Sequence, residues 1–162
     1  MTKLPLLKEL PSSWRVVEFG EVLKGGTRNG IYKSKAFHGR GTKIVNMGEL
    51  FAHPRLRAVE MRRVELTNVE LSRSDIQPGD LLFARRSLVA EGAGKCSIVL
   101  ETDEPTTFES SIIRARPDPK QASSLFLYYL FGSPFGVYSL GSILRHVAVA
   151  GITGSDLDRC TG

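Results

Sequence analysis

Cysteine is scarce in this chain. Its 162 residues include two, Cys96 and Cys160. That is too few for a disulfide framework, and two thiols enclose a zinc ion only with help from His or carboxylates. The three histidines, His38, His53 and His146, lie far apart and share no ligand spacing. Long apolar runs are missing too, and none approaches the ~18 residues of a membrane span. Met1 to Lys8 has no long apolar region and no small-residue cleavage site, so a secretory signal is not read there. These absences point to a cytoplasmic protein with no membrane partner.

Nucleotide fingerprints are also lacking. Gly92-Ala93-Gly94-Lys95 looks like the end of a phosphate-binding loop, but Val89 stands where the first glycine belongs and Cys96 follows the lysine. The hydroxyl that would hold magnesium is absent, which excludes an NTPase of that type. No dinucleotide or S-adenosylmethionine pattern is found, and no cofactor is expected. A metal-dependent nuclease needs clustered carboxylates near a lysine. Asp80, Glu91 and Lys95 are the nearest match, but Glu91 and Lys95 share a glycine-rich loop and Asp80 sits in a Pro-Gly-Asp turn. Cys96 with His146 as nucleophile and base is weaker than Cys96 as a small buried hydrophobe opening an apolar strand.

What is present is globular. Hydrophobic residues make up 41% and charged residues 24%, enough apolar side chains for one core at a length that suits one domain. The net charge of +5 is unevenly spread. Residues 24–63 hold ten Lys/Arg against two acids, and the rest of the chain is slightly acidic. This predicts a basic face built largely from residues 24–63 and an anionic partner.

Local patterns predict a mixed α+β domain. Pro5 and Pro11 make residues 1–13 an extended lead-in. Trp14 to Phe19 reads as a short strand, Gly25 to Gly30 as a glycine-rich loop, and Thr42 to Met47 as a second strand. Thr67-Asn68-Val69-Glu70 is a capping box that opens a short helix, ending before the turn at Pro78-Gly79-Asp80. Leu81 to Ala84 reads as a buried strand, followed by strands over Cys96 to Leu100 and Ser110 to Arg116. Ala122 to Phe131 is apolar nearly all round and predicts a buried helix, and Ser133-Pro134 starts another running toward Arg145. Val147 to Ala150 reads as extended, Gly151 to Gly154 as a loop, and Ser155 as the cap of a last helix. Regular βαβ units are absent, so the expected architecture is a twisted, largely antiparallel sheet with flanking helices.

Several stretches together carry a family likeness. They are Leu10-Pro11-Ser12-Ser13-Trp14, Arg28-Asn29-Gly30-Ile31-Tyr32-Lys33-Ser34, Ile44-Val45-Asn46-Met47-Gly48-Glu49-Leu50, Pro78-Gly79-Asp80-Leu81-Leu82-Phe83-Ala84-Arg85-Arg86-Ser87-Leu88 and Gly151-Ile152-Thr153-Gly154-Ser155-Asp156-Leu157. The chain resembles a target recognition domain from the specificity subunit of type I restriction–modification systems, over nearly all of Leu10 to Leu157. The resemblance implies a non-catalytic, sequence-specific double-stranded DNA-binding module that reads one half of a bipartite target. Residues 1–154 would be the recognition domain and residues 155–162 the truncated start of the conserved linker and spacer. In the intact family complex the partners are methyltransferase and restriction subunits. Without the second domain and spacer helix, that assembly is not expected of this stretch.

The resemblance and residue chemistry together select DNA-contact candidates. Arg85 and Arg86 follow an apolar strand; because side chains alternate faces, both cannot join the core, and an arginine pairs bidentately with guanine. Ser87 follows them. Around the glycine-rich segment, Arg28, Asn29, Tyr32, Lys33 and Lys35 offer an amide for adenine and cations for phosphates. Lys95 and Thr153 are candidates of the same kind. Asn46 and Ser110 read as either loop structure or base readers. Trp14, Phe83, Tyr128 and Tyr129 are expected in the core. Two other readings remain: a metal-dependent DNA-cutting enzyme, and a regulatory or decoy fragment that binds a partner protein through an exposed apolar patch.

Overall fold

The computed structural model describes residues 11–87, 92–143 and 150–161. The fold is organised by the most apolar strand. Leu81, Leu82, Phe83 and Ala84 form β5 (Leu81–Ala84), and all four side chains are buried. Alternation along the strand sends Leu81 and Phe83 to one core and Leu82 and Ala84 to a second. A strand buried on both faces must lie mid-sheet. Accordingly β5 pairs with β9 (Ile112–Pro117) on one side and β7 (Cys96–Val99) on the other, both antiparallel. β1 (Leu23–Asn29) extends the sheet beyond β9 and β3 (Arg55–Leu56) lies beyond β7, giving the order β1-β9-β5-β7-β3.

The first core lies under α3 (Ser124–Gly132), α4 (Pro134–Ile143) and α5 (Gly154–Asp158) and contains Phe19, Phe83 and Phe131 in mutual edge-to-face contact. The second is closed by α1 (Met47–Ala52) and by a three-stranded sheet in which β2 (His38–Val45) lies between β4 (Arg63–Val64) and β8 (Thr106–Phe108). α2 (Asn68–Ser74) packs beside β8; the Thr107 hydroxyl donates to the Ser74 carbonyl at 2.9 Å. Finally β6 (Arg86–Ser87) pairs with β10 (Ala150–Gly151). Of the seven strand pairings among the described residues, five are antiparallel, so the α+β, largely antiparallel expectation holds.

Local expectations fare unevenly. The capping box at Thr67 forms as read: its hydroxyl accepts the Glu70 N–H, and the Glu70 carboxylate accepts the Thr67 N–H. The Ser133 hydroxyl likewise accepts the Gly136 N–H at the start of α4. Gly25 to Gly30 is not a loop. It lies mostly in β1, where Gly25 and Gly26 take φ of +74° and +68° at a break in register between Leu23 and Thr27. Glycine there makes a bulge without ending the strand. Trp14 to Phe19 is not a strand; Glu18 alone bridges to Thr161, and a 3-10 turn begins at Phe19. Met47 opens α1 and does not extend β2. Thr153, not Ser155, caps α5. The expected extended segment at Val147 to Ala150 lies outside the described residues except for Ala150.

Candidate nucleic-acid interface

In an antiparallel sheet, alternate strands enter and leave at the same end. Here β1 and β5 leave where β9 and β7 enter. The register fixes this: Asn29 pairs with Ile113, and Ile113 pairs with Phe83, which pairs with Cys96. Residues just beyond those positions therefore gather at one edge. The Arg85 N–H donates to the Ser111 carbonyl at 2.8 Å, the Gly30 N–H to Ile112 at 3.1 Å, and the Ile152 N–H to Arg85 at 3.0 Å. Arg28, Asn29, Arg85, Arg86, Lys95 and Thr153 are thus brought to one end of the central sheet from four stretches of sequence. Ser87 follows in β6, and nothing is described of its side chain.

The candidates differ in how free their polar groups are. Arg28, Asn29 and Arg86 are exposed, and neither arginine forms an ion pair among the described residues. Arg85 is half-buried, and its guanidinium reaches the Ser110 carbonyl at 3.3 Å. Lys95 lies 5.0 Å over the Phe51 ring, with Nζ 3.5 Å from the Phe51 carbonyl. The Thr153 hydroxyl accepts the Asp156 N–H and donates to its carboxylate at 2.6 Å, which makes it a helix cap. Asn46 also stands at a helix start: its N–H donates to the Glu49 carboxylate at 2.9 Å, and its side-chain amide donates to the Ile44 carbonyl at 3.2 Å.

Tyr32, Lys33 and Lys35 follow β1 toward the second sheet. Tyr32 is 83% exposed. Lys33 pairs with Glu70 at 2.6 Å and lies 4.7 Å over Phe37. This pairing and the Thr67 N–H lower the Glu70 carboxyl to about 2. Lys35 is exposed in the 3-10 turn that precedes β2.

The basic segment is less basic in space than in sequence. Five of its ten cations are neutralised by acids that the fold brings from outside it. Besides Lys33, Arg40 pairs with Glu65, Lys43 with Asp103 and Glu104, Arg57 with Glu101, and Arg63 with Glu104. Near the sheet end, Arg28 from that segment and Arg86 from outside it are exposed and form no ion pair among the described residues, while Arg85 and Lys95 rest on backbone carbonyls.

The nuclease constellation finds no support in Asp80. Its carboxylate is buried, receives Arg116 at 2.7 Å and accepts the Gln77 N–H at 2.8 Å. Arg114 reaches the Asp75 carbonyl and carboxylate beside it. Glu91 and His146 lie outside the described residues. Burial pushes the Cys96 thiol well above its ordinary range, and Cys160 up to about 11, so neither is an activated nucleophile.

Sequence reasoning raised an exposed apolar patch without placing it, and put two of its aromatics in the core. Phe83 is core as expected, but Trp14 is 58% and Tyr129 56% exposed. With Leu125, Phe126, Val137 and Tyr138 they form the outer side of α3 and α4 and its surroundings, and Trp14 meets Phe126 edge to face. Between the two helices and Pro54 lies an apolar groove of about 610 Å³ lined by Tyr128, Tyr129, Val137 and Leu140. No charged side chain occurs from Ser123 to Ile143. The signal was there: α3 is too uniformly apolar for one buried stripe to explain.

No protein-family model and no curated protein matches the chain. Solved structures do. A type I restriction–modification structure concerned with complex assembly and conformational transition aligns over 95% of this chain at a TM-score of 0.68 and 18% identity. The HsdS subunit from Thermoanaerobacter tengcongensis aligns over 94% at 0.64 and 18% identity, and the S subunit from M. genitalium over 94% at 0.57 and 12% identity. The chain covers 34%, 33% and 35% of those three chains, so it spans about a third of their length. Its fold is that of a target recognition domain from a type I restriction–modification specificity subunit.

Proposed function

We propose that this chain is a non-catalytic, sequence-specific double-stranded DNA-binding module that reads one half of a bipartite target for a type I restriction–modification complex. The observation that carries this reading is the convergence of Arg28, Asn29, Arg85 and Arg86 at one end of the sheet, with Arg28 and Arg86 exposed and unpaired among the described residues. Rigid strands supply these side chains, which suits base reading. Two arginines and an amide have the donors that guanine and adenine edges require. Lys35 and neighbouring cations suit phosphates, which set register and carry no sequence information. The likeness in fold to specificity subunits supports the same role.

The test is a titration of random-sequence duplex against this chain over a series of salt concentrations. With half of the basic segment already neutralised, roughly three phosphate contacts are expected, for a log–log slope of about −3. A flat response would contradict the reading.

A second surface has its own observation. The uncharged, half-exposed outer side of α3 and α4 is larger than scattered surface hydrophobes explain. It suits contact with another protein surface, as assembly with methyltransferase and restriction subunits would require. It lies over the helices that cover the first core and does not include Arg28 or Arg86, so both contacts are compatible.

A further inference from the structure

Tyr32 is the most exposed large aromatic side chain among the described residues, yet its backbone neighbours are fixed on both sides. Before it, the Gly30 N–H donates to Ile112 and the Ile31 N–H to Phe108 at 2.9 Å. Gly30 lies so close to this turn that a Cβ would stand 2.1 Å from the Glu109 carbonyl oxygen. After it, Lys33 is held by Glu70 and the Phe37 ring, and the Lys33 carbonyl lies 3.1 Å from His38 Nε2. Lys33, which by charge alone suits a phosphate, acts here as a strut. The turn that holds Ile31 is also the turn that Arg85 touches through Ser110 and Ser111.

An aromatic ring held out by an ordered backbone needs little further ordering when it binds, since only two side-chain torsions remain to be fixed. No ring or ion contact holds Tyr32 to the rest of the described structure. Resting on the DNA-reading function above, we propose that Tyr32 is a specificity-determining residue of that interface: its ring packs against base edges beside those read from Arg28, Asn29 and Arg86. Apolar contact with a base edge, such as a thymine methyl, discriminates between sequences, whereas a phosphate contact does not.

The experiment is selection from a random duplex library with the wild type, Tyr32→Ala and Tyr32→Phe, followed by affinities for the selected duplex and an unselected one. Tyr32→Ala is expected to lose preference at one or two adjacent target positions. It should bind the selected duplex roughly tenfold more weakly or worse, while affinity for the unselected duplex and the salt slope stay unchanged. Tyr32→Phe, which keeps the ring, retains most of the preference. An unchanged motif with Tyr32→Ala overturns the proposal, as does equal weakening on both duplexes with a shallower salt slope. A wild type that selects no motif sinks the DNA-reading function first, which separates that failure from one confined to Tyr32.

Discussion

Asp80 and Arg116 show how a residue's partners decide its role. The Asp80 carboxylate is buried and holds both the Arg116 guanidinium and the Gln77 N–H, so it stabilises the turn into β5. Removing it strands a partly buried cation, and Asp80→Ala is expected to cost about 3–5 kcal/mol in a denaturant titration. The half-exposed carboxylates Glu70 and Glu104 behave differently. Lys33 and the Thr67 N–H lower Glu70 to about 2, and Arg63 with Lys43 lowers Glu104 to about 2. Both sit below their ordinary value of 4.5, so their stabilisation is complete above that pH and is lost as pH falls toward 2. The denaturation midpoint should therefore decline over that window. Glu70→Gln, which keeps an acceptor for the cap, should flatten part of the decline. The Thr67–Glu70 contact was legible as a capping box, but none of the ion pairs was, because Lys33 and Glu70, or Lys43 and Asp103, meet only through the fold. The candidate list named Lys33 for its charge and had no means of seeing that charge matched.

At the scale of elements, β5 was legible because four consecutive apolar residues bounded by turn chemistry suit a strand buried on both faces. Phe83→Ala removes a fully buried ring from the Phe19–Phe131 cluster and should destabilise by about 3–5 kcal/mol in thermal or chemical unfolding. The capping box at Thr67 was legible for a similar reason, since its chemistry lies within four residues. β1 was not: its glycines look like a loop, and only pairing with β9 reveals a bulged strand. The helix α3 was half legible. Its length and apolarity were plain, but which side would stay uncovered depends on what packs against it. At the end of β1, Gly30→Ala should clash with the Glu109 carbonyl and lower the melting temperature, because backbone, not a flexible side chain, stands in the way. A variant melting like the wild type would show that this turn yields, and the fixed setting of Tyr32 would be lost with it.

The whole molecule presents two unlike surfaces. One end of the sheet gathers arginines and an asparagine, and the side of α3 and α4 away from the core is apolar and uncharged. Charge arithmetic pointed to an anionic partner; the fold pairs half of the basic segment with acids and brings Arg86 to the sheet end from outside it. Replacing Leu125 and Val137 by Glu should leave stability within about 0.5 kcal/mol, as expected for exposed positions, and leave the salt slope of DNA binding unchanged. A loss of DNA binding would merge the two surfaces into one. The central claim is that the sheet end reads sequence, and selection from a random duplex library by the wild type and by Arg28→Ala and Arg86→Ala tests it most directly. The account predicts that the wild type enriches one short motif and that each arginine change relaxes preference at a position of its own, by about 1–3 kcal/mol of discrimination, with binding to unselected duplex largely kept. No enriched motif, or a motif that survives both substitutions unchanged, would contradict it.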